Sequence, residues 1–402
     1  MTTDRDTFLQ YYRWLGNDIN KDHSANLWEH IPTTDWHALI EHANKQALSG
    51  YIYYKLSEQE LLSSLPEQLN TSLKSTHQQT TARNVRLIAT LQKVGTALAE
   101  KDIRLIILKG MYLIERVYPS VGVRSMVDID FLIRREDAAT VRQLLLEQGY
   151  TDGLWNVSEV RQPYSNQIHF TSASSGIEIE PHFDFFPIHT NSRFDIDEIW
   201  QNSTPFAGYD NNCLTLAEDD HLLYMCHHAI SKHLAVRAKH VLDIHLLVGK
   251  LEHDFNWQSL LQKAEQYNVK RSLLLAFSLL KYLFDRDPVD VIKQEMVKYR
   301  RLDRLTYWLA GNILDDRAVN FREYDSVFHM YRAYRRGCLG EYLQRRNVRL
   351  NDLQDATINL PKSSVGVFRV FYTVSRYAGL LIKMLFNSKI RQFMRMQLFL
   401  SK

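Results

Sequence analysis

Asp128 and Asp130 stand one residue apart inside an apolar run that continues through Phe131, Leu132 and Ile133. Side chains alternate along a strand, so both carboxylates project from one face, with Cα atoms about 6.6 Å apart at roughly 3.3 Å per residue. Two carboxylates so placed can share a divalent cation. Their apolar surroundings mark a strand set into a sheet, where buried acids require a partner. Spacing alone is weak evidence, because 46 acids among 402 residues give about five acid-x-acid pairs by chance. Asp4/Asp6, Glu58/Glu60 and Asp195/Asp197 are such pairs, in a terminus, a polar helix and a loop. Context sets Asp128 and Asp130 apart. Lys109 and Gly110 close an earlier apolar run, Arg124 precedes Asp128 by four residues, and Glu178, Glu180 and His182 share one face of a later strand.

Three acids around one point suit a hard cation such as Mg²⁺, with Mn²⁺ as the alternative, and Mg²⁺ takes phosphate oxygens among its remaining ligands. Two such ions can clamp the attacking and leaving oxygens of an in-line phosphoryl or nucleotidyl displacement. Gly110 would let the backbone approach an anion at a helix start. Lys109 offers a mobile charge to phosphate, and Arg124 could neutralise a leaving pyrophosphate. Glu178 stays an alternate to Glu180, because Pro181 cannot donate to a ladder and places that strand at an edge or near its end. The contrasting reading pairs the acids with Arg124, Arg134 or Arg135 in a buried ionic network. His182 adjoins the third carboxylate, as substrate contact or structural group. His221, Tyr224 and His228 have i, i+3, i+7 spacing on one helix face. His228 and Asp243 are candidate substrate contacts, set against ordinary core roles.

These residues need elements to hold them. Residues 1 to 100 read as a helical region, with Phe8, Tyr11, Tyr12, Trp14 and Leu15, then Leu87, Ile88, Leu91, Val94 and Leu98, at helical spacing. Residues 101 to 205 read as an α/β core: strands at 103–108, 128–133, 166–172 and 177–183, and a helix at 136–148 ending on Gly149. Residues 206 to 315 form a helical bundle, broken near Asp285-Arg286-Asp287-Pro288. The fold class is therefore α+β, a small mixed sheet flanked by N-terminal helices and a large helical C-terminal region.

A net charge of +3 gives no global ground for nucleic-acid binding, and Cys213, Cys226 and Cys338 lack the spacing of a disulfide framework or thiolate metal site. A charged start argues against a secretory signal, and no apolar stretch is long enough to span a membrane. A cytoplasmic location is expected. Residues 316 to 402 read as a basic extension in which Lys362, Arg369, Arg376 and Lys383 recur every seven residues. That stripe suits either peripheral contact of residues 362–402 with an anionic inner membrane or packing on the body.

The order Leu108-Lys109-Gly110, Tyr118-Pro119, Arg124, Asp128-x-Asp130 and Ile179-Glu180-x-His182 resembles the uncharacterised bacterial nucleotidyltransferase family within the polymerase-β-like superfamily. Leu216 to His228, Lys232-His233 and Val241-Leu242-Asp243 continue the likeness, which spans roughly residues 35 to 250. The resemblance implies metal binding by Asp128, Asp130 and Glu180, and a nucleotide-phosphate loop at Lys109 and Gly110. It implies transfer of a nucleoside monophosphate from an NTP, ATP foremost, to an unidentified acceptor with release of pyrophosphate. An inactive scaffold of the same fold and a protein-adenylylating enzyme are the alternatives. Met111 departs from the wider superfamily, which has serine or glycine after the glycine.

Overall fold

Three buried aliphatics, Leu105–Ile107, form β1, and Asp128–Leu132 forms β2 antiparallel to it, with Ile106 opposite Leu132 and Ile107 opposite Phe131. The other strands are Tyr150–Thr151 (β3), Phe170–Ser172 (β4), Glu178–His182 (β5), Thr204–Pro205 (β6) and Cys213–Thr215 (β7). They join in one sheet ordered β3-β4-β5-β2-β1-β7-β6. The sheet is mixed: β2/β5 and β1/β7 are parallel, and the remaining neighbours are antiparallel. This computed structural model describes residues 5–17, 33–152, 166–186, 192–232, 236–251, 254–316, 396, 399 and 400. The basic stripe expected over 362–402 lies outside the described residues, apart from those last three.

The hairpin expected between residues 166 and 183 is β4–β5, with Phe170 opposite Ile179 and Gly176 supplying a φ of +65° in the connection. Pro181 does not put β5 at an edge, since the strand lies between β4 and β2. The backbone geometry explains the tolerance. Pro181 accepts from the Ile168 N–H at 3.0 Å, so its nitrogen faces the side where β4 has ended. The missing donor therefore costs the β2–β5 ladder nothing. The strand does end at the following residue, His182.

Helices precede, punctuate and follow this sheet. Arg5–Gly16 (α1), Thr33–Gln46 (α2), Ser49–Glu58 (α3) and the 33-residue Glu67–Ala99 (α4) come first. Lys109–Arg116 (α5), Ala138–Glu147 (α6) and Ile196–Asn202 (α7) lie among the strands. Glu218–His227 (α8), Ala238–Lys250 (α9), Trp257–Gln266 (α10), Lys270–Phe284 (α11), Asp290–Met296 (α12) and Leu302–Leu314 (α13) complete the α+β architecture.

The spine of the helical body is α11, whose Leu273, Leu274, Leu275, Phe277, Leu279, Leu280, Leu283 and Phe284 are all buried, against α1, α8, α9 and α13. Each such side chain contributes about 1.5–3 kcal/mol relative to exposure. The helix stops at Asp285, which takes a left-handed φ of 54°, where the Asp285-to-Pro288 break is expected.

The described elements belong to one contact unit, Met1–Gly153 with Gln167–Phe185 and Arg193–Ala318; a second unit takes Leu154–Asn166, Phe186–Ser192 and Val319–Lys402. Among the described residues no helix is long and apolar enough to cross a membrane.

Candidate active site

Two strand ends and one turn build the centre. The Leu108 N–H donates to the Asp130 carbonyl at 3.1 Å, extending the β1–β2 ladder by one bond. Lys109 then takes a φ of +46° and swings the chain into α5. A lysine in the left-handed region stores about 1–2 kcal/mol of strain. In this conformation the buried Lys109 ammonium donates to Asp130 Oδ1. From the other side β5 delivers its acids in register, with Asp128 opposite Glu178 and Asp130 opposite Glu180. His182, fully buried at the end of β5, places Nε2 2.8 Å from the same Asp130 Oδ1 and 3.8 Å from Glu180 Oε2. Gln167 Nε2 donates to Glu180 Oε2 at 2.5 Å.

The electrostatics follow from these contacts. Burial pushes the Asp130 carboxyl up, but Lys109 and His182 outweigh it and hold the group well below the usual carboxylate range. Burial likewise disfavours the Lys109 ammonium, and Asp130 beside it raises its pKa overall. The two partners thus agree on a charged pair. Asp128 behaves oppositely: burial and the Asp130 charge raise its pKa. The ionic network at Asp130 uses Lys109 and His182, while of the arginines considered from sequence Arg124 acts on Asp128 through its charge. Arg134 pairs instead with Asp197, and Arg135 lies over the Phe183 ring.

Arg124 is fixed from two helices, α4 and α9. Asn84 of α4, fully buried, donates through Nδ2 to the carbonyls of Val121 and Arg124 at 2.6 and 2.7 Å, bracing the loop before β2. Asp243 of α9 accepts from Arg124 Nε and Nη2 at 2.7 and 2.8 Å, and from the Tyr118 hydroxyl at 2.7 Å. The third guanidinium nitrogen lies over Gly110. A Cβ there would sit 2.7 Å from Arg124 Nη1 and 2.9 Å from Met126 Sδ. Gly110 thus makes room for a cation and a thioether, where the sequence reading gave it an anion. Asp243, a candidate substrate contact, is occupied in orienting Arg124.

The histidine helix divides its roles. His221 is buried with its ring centroid 3.8 Å from that of Tyr112, and burial lowers its pKa to about 3. Tyr224, one turn on, is buried beside the Lys109 and Asp130 charges and stacks on Phe185 at 4.3 Å. His228 closes α8 in α-helical geometry, its N–H reaching the Tyr224 carbonyl and its ring 5.7 Å from that of Tyr224, and the π turn His228–Lys232 begins only there. Four further residues shape the centre without a spacing signal: Asn84, Tyr118, Gln167 and Lys239. The last is half-buried in the first turn of α9, beside the charges of Arg124, Asp243 and Asp128.

Sequence reasoning grouped Asp128, Asp130 and Glu180 as metal ligands. The structure gathers Asp130, Glu180 and His182, each offering one ligand atom, all within 4.8 Å of one another. Asp128 stands on the same β2 face beside this group. Two carboxylates and one imidazole fit a divalent cation of hard to borderline character. A comparison with curated proteins found no match. A family model described as uncharacterised nucleotidyltransferase matches residues 32–285. That span holds the whole sheet, the Lys109 turn and the Arg124–Asp243 brace, and the chain belongs to the uncharacterised nucleotidyltransferase family.

Proposed function

We propose that the chain transfers a nucleoside monophosphate from an NTP, ATP foremost, to an acceptor hydroxyl or phosphate, in a reaction dependent on Mg²⁺ or Mn²⁺. The observation that carries this reading is the β2–β5 register, which brings Asp130, Glu180 and His182 within ligand distance and sets Asp128 beside them. When bound there, a divalent cation supplies charge stabilisation to the phosphoryl oxygens. The protein's own groups do the rest. Lys109 and Arg124 are cations on the Gly110 side of the cluster, suited to the negative charge of a polyphosphate. The acceptor oxygen bonds to the α-phosphorus as the bond to pyrophosphate breaks, and the acceptor proton passes to a carboxylate of the cluster.

Isothermal titration of Mg-ATP and Mg-GTP into the protein and into an Asp128→Asn/Asp130→Asn variant tests this reading. Heat from one nucleotide with the parent protein, lost in the variant, is the expected result. Equal heats from both proteins refute it. One observation favours a second reading, an inactive nucleotide-binding scaffold: Lys109 and His182 already neutralise Asp130. Binding without pyrophosphate release across hydroxyl, phosphate and protein acceptors would select the scaffold.

A further inference from the structure

Lys239 is a cation that the mechanism so far does not use. It lies in the first turn of α9, one turn before Asp243, so its natural partner at i+4 would be that carboxylate. Asp243 is already engaged, accepting from Arg124 twice and from Tyr118. Among the described residues, Lys239 makes no hydrogen bond and no ion pair. Its charged surroundings are mixed: Arg124 and Arg237 repel it, and Asp243 and Asp128 attract it. Burial first, and then Arg124, bring its pKa down to about 8. Arg124 is in a matching state, with Nε and Nη2 committed to Asp243 and Nη1 lying over Gly110. Two like charges close enough to repel, one of them unpaired among the described residues, are costly in the free protein. Functional sites are where such costs are found.

We propose that Lys239 and the Nη1 edge of Arg124 form an anion subsite for a polyphosphate, the β- and γ-phosphates of the nucleotide, beside Asp128. The charge pattern selects the ligand class. A monovalent carboxylate would gain two cations but meet the Asp128 carboxylate uncompensated. A polyphosphate carrying a divalent cation satisfies both halves, its metal toward the carboxylates and its terminal oxygens toward Lys239 and Arg124. Lys109 is committed to Asp130, whereas Lys239 makes no hydrogen bond or ion pair among the described residues. The identification of the ligand as a nucleotide rests on the proposed nucleotidyl transfer, whereas polyphosphate binding can be measured by itself.

The test uses the full chain, with Mg-ATP, Mg-GTP, AMP and inorganic tripolyphosphate as probes in isothermal titration. Lys239→Met removes the charge and keeps the apolar stem; Lys239→Arg restores a charge. With Lys239→Met, we expect Mg-ATP and tripolyphosphate to bind at least about tenfold more weakly, consistent with loss of one charge-assisted contact. AMP should bind within about twofold of the parent, and Lys239→Arg should recover most of the loss. Because the ammonium has no hydrogen-bond or ion-pair partner among the described residues, the thermal midpoint of Lys239→Met should not fall. Parent and Lys239→Met binding both Mg-ATP and tripolyphosphate equally would overturn the subsite and leave nucleotidyl transfer standing. Tripolyphosphate binding that depends on Lys239, with no affinity for either nucleotide, would uphold the subsite and overturn the nucleotide. A parent protein that binds none of the probes overturns both. A fall in thermal midpoint together with equal weakening for AMP would overturn the subsite, because it would mark Lys239 as structural.

Discussion

The brace between α9 and the loop before β2 makes a quantitative prediction. Arg124 and Asp243 are 7% and 0% exposed and share two hydrogen bonds at 2.7 and 2.8 Å, with Tyr118 adding a third to the carboxylate. Removing one member strands the other as a buried charge, which costs about 3–5 kcal/mol. Asp243→Ala strands the Arg124 guanidinium and the Tyr118 hydroxyl; Arg124→Met strands the Asp243 carboxylate. Replacing both members leaves no stranded charge, so Arg124→Met/Asp243→Leu should lose only about 1–3 kcal/mol. Simple addition would give about 6–10 kcal/mol. The cycle therefore predicts a coupling of at least about 3 kcal/mol, read from urea unfolding followed by circular dichroism. Salt should change it little, because buried pairs are poorly screened. Additive losses, or single losses below about 1 kcal/mol, would refute a brace and return Arg124 to the status of a free substrate contact.

Gly110→Ala should destabilise by about 1–3 kcal/mol, since its Cβ would lie 2.7 Å from Arg124 Nη1 and 2.9 Å from Met126 Sδ; Met126→Ala in the same chain should recover part of the urea midpoint. His182→Asn should weaken Mn²⁺ binding at least about tenfold and Mg²⁺ binding less, because an imidazole in the cluster favours the softer ion. Equal losses for the two ions, measured by competition titration, would remove His182 from the ligand set. Burial pushes the Asp220 carboxyl up to about 6 despite Lys263 at 2.7 Å. A raised folded pKa means the folded state holds that proton more tightly. Its stabilising contribution is therefore full below the unfolded value near 4 and lost as pH rises through about 6, by up to about 3 kcal/mol. Asp220→Asn should flatten that fall in urea midpoints between pH 4.5 and 7, and an unchanged profile would assign it to other groups.

How much of this was legible in the sequence depends on what each residue's position is determined by. Asp128 and Asp130 are placed by strand alternation, a period-two rule that needs no tertiary knowledge, and α11 is placed by its apolar density and a clear stop at Asp285. The hairpin that carries Glu180 was readable for the same reason. The strands β3, β6 and β7 were not, because they are two or three residues long and, unlike β1, stand in no longer apolar run; Cys213–Thr215 is a strand with β1 and β6 on either side. The centre of the site was harder still. Nothing in local spacing says that Asp243 reaches back 119 residues to Arg124, or that Asn84 holds the loop before β2. Nor does a propensity scale anticipate a lysine at φ +46°, a conformation better suited to glycine, which stands one residue later. The reason emerges only when both residues are seen together. Lys109 must turn left-handed to reach Asp130, whereas Gly110 must be small to admit Arg124 and Met126. The Lys109-Gly110 pair therefore divides two tasks that a single glycine-rich turn would combine, and exchanging the two residues should abolish the Asp130 contact and displace Arg124 at once.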